Sequence, residues 1–265
     1  MTDRPPTPGT SSSDAPQLVG YRVEEHVAAL VLDSPSNRNA LSRRLVTELY
    51  DALARAEEDD DVRVVLIRAN GPSFCSGADM AEASAPGGGG MEQAAGMLVD
   101  LQRRIATLPK PVVARVHGSV RAGGIGLVAA SDIAVVAHDA TFAFTEVRLG
   151  LTPAAISLTV LPRMSDREAA LAFLTGAVFT GRDAVRTGLV TRSVPEIELN
   201  LEVDEICAAL AKGSPQGLRE TKLLLGRPLA ERIDAHGDDL AALSARLFAS
   251  QEAQTAMRAF LDRRR

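Results

Sequence analysis

The chain has 265 residues, 46% of them hydrophobic, a formal net charge of −5 and an isoelectric point near 5.5, which is enough material for one large buried core. Acidic and basic residues are interspersed rather than blocked, so no surface advertises itself to nucleic acid or an anionic membrane, and no apolar run reaches bilayer-spanning length. Two cysteines (Cys75, Cys207) and four histidines without HxxxH or CxxC spacing predict neither a disulfide framework nor a bound metal, and they fit a reducing, cytoplasmic setting.

Residues 1–17, rich in Pro, Ser and Thr, carry no apolar core and predict a disordered tail rather than a signal peptide. "YRVEEHVAALVLDSP" and "VRVVLIRANG" then read as β-strands closed by turn signals. Between them Ser42 caps a helix whose Leu45, Leu49, Leu53 and Ala56 fall at helical spacing. A glycine-rich approach, residues 83–91, leads into a helix from Met91 to Leu108; that loop is equally a lid or a plain solvent loop. "PVVARVHG" and "DIAVVAHDATFAFTEV" are further buried strands flanking the helical "GGIGLVAAS", and from Ser165 onward the chain turns mostly helical. The expected class is α/β, with a core over 18–200 and a C-terminal helical region over 201–265.

Two stretches share a form: "GPSFCSGADM" (71–80) and "GSVRAGGIG" (118–126), each following a strand and opening a helix. Small residues there let a ligand approach N–H groups that a helix start leaves unpaired. The second stretch lacks the Lys-Ser/Thr of a P-loop, and its glycines lack the GxGxxG spacing of a dinucleotide site. What remains is an oxyanion site, or a tight strand-to-helix corner in which glycine merely relieves packing. Cys75 has no histidine partner in the sequence pattern and reads as a packing residue.

"NRNALS", "FCSGADM", "VHGSVRAGG", "SDIAVVAHDATFAFTEVRLGLTP", "LTGAVFTGRDAVRTGLV" and "AMRAFLDRRR" together resemble the crotonase, or enoyl-CoA hydratase/isomerase, superfamily in order and spacing over roughly residues 18–265. The resemblance implies a crotonase (ClpP-like) fold of repeated ββα units with a C-terminal helical trimerisation region, an acyl-CoA substrate and a place in fatty acid metabolism. It makes the N–H groups of Ala78 and Gly123 the oxyanion hole for a thioester carbonyl, where one preorganised donor is worth about 3 kcal/mol. It implies a homotrimer or a dimer of trimers, and no cofactor beyond the coenzyme A carried by the substrate.

Hydratases of the family use two glutamates. The position of the first is Gly126 here; the second is present as Glu146 in "FTEVRLG", amid apolar residues where desolvation raises a carboxyl pKa. A single carboxylate suits moving a double bond between C3 and C2, and suits hydration less well. The expected activity is therefore of the enoyl-CoA hydratase/isomerase type; the alternatives are a strict Δ3-Δ2 isomerase and a non-catalytic acyl-CoA-binding homologue. The bare Gly126 is expected to leave room in the substrate pocket for a bulky or branched acyl group. Arg121 is either a partner for a CoA phosphate or substrate carboxylate, or a solvent-facing arginine.

For coenzyme A itself the resemblance implies Asn37, Arg38, Ala40, Ser76, Asp79 and Met80, with Phe260 and Arg263 on the terminal helix. Asp79 reads as a helix-start residue that orders its loop rather than as an acid.

Overall fold

The computed structural model describes residues 16–83 and 89–262. Its first strands, β1 (Val19–Glu24) and β2 (Val27–Leu32), pair as an antiparallel hairpin that turns at Glu25 and His26. The amphipathic helix α1 (Arg43–Glu58) follows, capped by Ser42, whose hydroxyl accepts from the N–H of Leu45; Leu45, Leu49, Leu53 and Ala56 face the core.

Three strand pairs come next: β3 (Val64–Ala69) with β4 (Ser73–Cys75), β5 (Val112–Val116) with β6 (Ser119–Arg121), and β7 (Ile133–Ala137) with β8 (Thr141–Ala143). Each is followed by helix: α2 (Met80–Ala83) and α3 (Gly89–Thr107), then α4 (Gly123–Ala130), then α5 (Ala154–Val160). The first strand of each pair enters a six-stranded sheet and the second a four-stranded sheet, which is the repeated ββα plan of a crotonase fold.

The remainder comprises α6 (Asp166–Thr175), β9 (Phe179–Thr180), α7 (Gly181–Thr187), β10 (Arg192–Val194), α8 (Leu199–Ala211), α9 (Pro215–Phe248) and α10 (Gln251–Asp262). The large sheet runs β1-β2-β3-β5-β7-β10, parallel from β2 onward; the small one runs β4-β6-β8-β9. The central strands β3, β5 and β7 are almost continuously buried and rich in Val and Ile, as a parallel sheet covered on both faces requires.

The division expected at residues 200 and 201 falls inside α8. Leu199, Val203 and Cys207 of that helix belong to the main core. Helix α9 is unbroken over 34 residues although it contains Gly226 and Pro228, because it lies along α3 and α5 and buries Leu229, Ile233 and Ala241 against them. Residues 1–15, the heart of the 83–91 loop and Arg263 fall outside the described residues.

Candidate active site

The two glycine-rich turns meet. Gly77 has φ +88°, and a Cβ there would lie 2.8 Å from the Ala122 Cβ and 3.1 Å from the Arg121 carbonyl oxygen, so the first corner sits directly on the second. Parallel pairing of β4 with β6 brings the corners side by side. The second corner is strained: Ala122, which precedes α4, has φ 45° and ψ −120°, a region that costs a non-glycine residue about 1–3 kcal/mol. No side chain caps α4, so the N–H groups of its first turn, that of Gly123 among them, have no capping acceptor. Ala78 forms a bridge with Leu41 in which the Leu41 N–H donates to Gly77 O at 2.8 Å. Among the described residues neither the N–H of Ala78 nor that of Gly123 donates to a protein acceptor.

Glu146 sits in a 3-10 turn, Thr145–Leu149, that ends at left-handed Gly150, whose N–H returns to the Glu146 carbonyl. The residue before the turn, Phe144, is fully buried and packs on Phe173 with ring centroids 4.4 Å apart, which anchors the turn to α6. The Oε2 atom of Glu146 is shut off from solvent and has no hydrogen-bond partner. Burial pushes its carboxyl up from the ordinary 4.5 to about 7.

One cleft joins these parts. Ala78, Ala122, Gly123 and Glu146 line it, as do Leu98 of α3, Ile156 of α5 and Phe248 of α9, and it encloses about 740 Å³ out to its mouth. Among the described residues Glu146 is its only carboxylate; Arg43, Thr152 and Ser244 supply the other polar side chains. A shielded carboxyl beside two unpaired N–H groups in an apolar pocket is suited to proton transfer at carbon next to a carbonyl.

Residues 22–265 match the family model for enoyl-CoA hydratase/isomerase. The chain belongs to that family. An enoyl-CoA hydratase from Mycobacterium avium of known crystal structure superposes with a TM-score of 0.87 at 42% identity, over 94% of this chain and 98% of that one. A Thermus thermophilus protein provisionally named as an enoyl-CoA hydratase is 35% identical over 244 residues, 90% of this chain and 96% of its own length. The mevalonyl-coenzyme A hydratase of Aspergillus fumigatus is 32% identical over 245 residues, 91% of this chain and 90% of that one. This chain is accordingly an enzyme of the enoyl-CoA hydratase/isomerase type.

Five of the residues that the resemblance assigns to coenzyme A, Asn37, Arg38, Ala40, Ser76 and Asp79, lie on one hydrogen-bonded assembly. Asn37 Nδ2 donates to Asp79 Oδ2 at 3.3 Å, its Oδ1 accepts from the Ala40 N–H, and Ser76 donates its hydroxyl to Asn37 O and its N–H to Arg38 O. Asp79 Oδ1 also accepts from the Glu82 N–H at 3.3 Å, and Glu82 in turn accepts from the Arg43 N–H at 2.9 Å at the start of α1. Met80 packs toward Leu151, Ala253 and Met257. Phe260 falls on α10, the helix that covers this side of the site.

Sequence reading passed over Asn39, which holds the assembly together. It is fully buried at φ 53°, accepts from the Ser34 N–H at 2.7 Å and donates to Asn70 O and Ser73 O at 2.9 Å each. Its signal was available: Asn is one of the few residues that tolerate a left-handed backbone while bonding locally.

Two expectations need correction. Arg121 does not line the cleft: it is half-buried, and its guanidinium donates to Val120 O and Thr141 O, at 2.8 and 2.6 Å, and to the Thr141 hydroxyl at 3.2 Å. Burial pushes its pKa down, and its partners are neutral oxygens. Gly126 opens no space either. A Cβ there would meet Ile156 Cγ2 at 2.8 Å and Gln102 Oε1 at 3.0 Å, so the missing side chain is replaced by neighbours rather than by substrate room. Cys75 is fully buried, and burial pushes its thiol up to about 12, which leaves it inert at neutral pH.

Proposed function

We propose that the chain acts on an acyl-CoA thioester through an enolate, with the Ala78 and Gly123 N–H groups receiving the developing oxyanion and Glu146 serving as the single acid/base. The observation that carries this reading is the lone, solvent-shielded Glu146 carboxyl, poised near neutrality in the cleft that both unpaired amides line. As base it takes a proton from carbon; as acid it returns one to the same face. Two fixed backbone dipoles in an apolar cleft stabilise the intermediate charge without reorganising, each by about 3 kcal/mol. Coenzyme A belongs to the substrate, and the Asn37–Ala40 and Ser76–Met80 segments are its proposed cradle, with Phe260 and Arg263 from the chain end. Loss of catalysis is disfavoured by the same carboxyl, because an unpaired buried glutamate is costly to keep without a task.

Packing at Gly126 favours a more specific form of this reading. With that position filled by Ile156 and Gln102, no second carboxylate among the described residues reaches the cleft to hold a water, so moving the double bond between C3 and C2 outpaces hydration. Parallel assays with a trans-2-enoyl-CoA and a cis-3-enoyl-CoA test it. Isomerisation should be the faster reaction, and Glu146→Gln should lower both by about 10³-fold. Retained turnover in that variant would refute the role of Glu146.

Assembly into trimers, or dimers of trimers, belongs to the same proposal. Leu171, Leu174 and Val178 lie exposed around α6, and Leu223–Leu225 on α9, apolar side chains that neighbouring copies would cover. Light scattering on the purified protein decides it.

A further inference from the structure

Behind the lining of the cleft lies a second, polar layer that neither the acid/base nor the oxyanion groups explain. Gln102 of α3 has no exposed surface, yet its amide is fully used: Oε1 accepts from the Thr159 hydroxyl at 2.6 Å, and Nε2 donates to Leu98 O and Ala155 O at 3.2 Å each. Thr159, also fully buried, lies on α5 with its hydroxyl 3.3 Å from Gly126 O on α4. Gln102 and Thr159 together tie three helices whose residues line the cleft: Leu98, Gly123, Ala155 and Ile156.

Burying a glutamine among apolar residues is costly unless every donor and acceptor is matched, as here. Such a matched group holds one position. Gln102 also occupies the one place a side chain at residue 126 would enter, since a Cβ there would lie 3.0 Å from its Oε1 and 3.2 Å from its Cδ. Gln102 thus fixes the Leu98 and Ala155 carbonyls, and Ile156 Cγ2 lies against bare Gly126, so the helix segments that carry Leu98, Ala155 and Ile156 into the cleft are held in place.

We propose that Gln102 is a specificity-determining positioning residue: held by Thr159 and seated against bare Gly126, it backs the floor of the cleft and limits how long or branched an acyl chain can enter. This rests on the acyl-CoA reading of the same cleft. Shortening Gln102 should let Leu98 and Ile156 fall back into the vacated volume and deepen the pocket. Replacing it with an unbranched side chain of equal length should not.

The test compares wild type, Gln102→Ala and Gln102→Met by calorimetric affinity for butyryl-CoA and decanoyl-CoA and by kcat/KM on 3-enoyl-CoAs of the same lengths. Gln102→Ala should shift the long-to-short preference by about tenfold toward the long chain, carried mostly by KM. Gln102→Met should keep the wild-type ratio even at a lower melting temperature. Should the alanine variant not fold, Gln102→Leu, one atom shorter, should give a smaller shift in the same direction. Equal ratios in all folded variants, with wild type active, overturn this proposal alone. Failure of wild type to bind either thioester overturns the acyl-CoA reading and this proposal with it.

Discussion

Lys222 and Glu146 are both buried ionisable groups, and the fold treats them in opposite ways. Lys222, on α9, donates to Ile105 O and Lys110 O at 2.9 and 3.0 Å and pairs with Asp132 Oδ2 at 2.8 Å, while the same Asp132 oxygen accepts from the Val112 N–H. All of its hydrogen-bonding capacity is spent inside the protein. Burial pulls its pKa down and the Asp132 charge pulls it back up. Glu146 has one oxygen with no partner, and its carboxyl is left to rise to about 7. A satisfied buried charge fastens α9 to the end of β5; an unsatisfied one in a cleft is available for chemistry.

The largest consequence follows from removing the unsatisfied charge. Glu146→Gln should lower kcat/KM by about 10³-fold, the scale of a lost general base, and wild-type kcat/KM should rise with pH to a plateau through an apparent pKa near 7. Its effect on stability has the opposite sign. The folded pKa lies above the unfolded 4.5, so the native state is stabilised by holding the proton below pH 4.5 and loses that advantage as pH climbs to 7. Above pH 7 the ionised, unpaired carboxylate costs up to about 3 kcal/mol, which the neutral amide avoids. Urea unfolding should show Glu146→Gln more stable than wild type at pH 8 and nearly equal to it at pH 4.5. Equal midpoints at pH 8 would mean the carboxyl is not shielded.

Breaking the satisfied site should do the reverse. Lys222→Met leaves Asp132 half-buried beside two emptied carbonyls, and should cost about 3 kcal/mol of unfolding free energy, near the lower end for a buried pair because Asp132 retains some solvent. Turnover per folded molecule should stay at the wild-type value. A loss of kcat with an unchanged urea midpoint would assign Lys222 to the site instead.

The difference between these two regions also marks how far the sequence is readable. Strand runs such as "VVLIRA" and the α1 stripe behind Ser42 were legible because period and capping are local properties. Both glycine-rich corners and Glu146 were legible because their order along the chain matches a family pattern, although nothing local shows that a glutamate in a 3-10 turn is shielded from water. Lys222 was invisible: a lysine in "RETKLLL" reads as a solvated helix face, and its partners lie about 90 to 117 residues away. Gly126 misled for a related reason, since an absent side chain suggests empty space until Gln102 and Ile156 are seen filling it. Long-range packing decides what a bare or charged position means, and a single sequence does not encode it locally.

A smaller effect probes the junction of the corners. Gly77→Ala must adopt φ +88° and bring a Cβ to 2.8 Å from that of Ala122, at a cost of about 2 kcal/mol. The strain falls on the segment that carries Ala78, so kcat should drop with it, by up to about 10²-fold if the two amides move apart by an ångström. Crystallography of the variant would show the shift directly. An undisturbed kcat in a destabilised protein would separate the corner's geometry from its chemistry.

Arg121 completes the comparison at its mild end. It lies one residue from strained Ala122 and two from Gly123, close enough for a cation to stabilise an oxyanion, yet its guanidinium turns away to Val120 O and Thr141 and holds β6 to β8. It belongs with Lys222 as a charge employed in holding strands, except that neutral oxygens rather than a carboxylate receive it. Arg121→Ala should therefore cost about 1 kcal/mol in stability, the net scale of its hydrogen bonds, and leave KM for an acyl-CoA within about twofold of wild type, because no phosphate or carboxylate contact is lost. A tenfold rise in KM at unchanged stability would show that the guanidinium reaches the substrate, and would move Arg121 from the fastened side of the comparison to the reactive one.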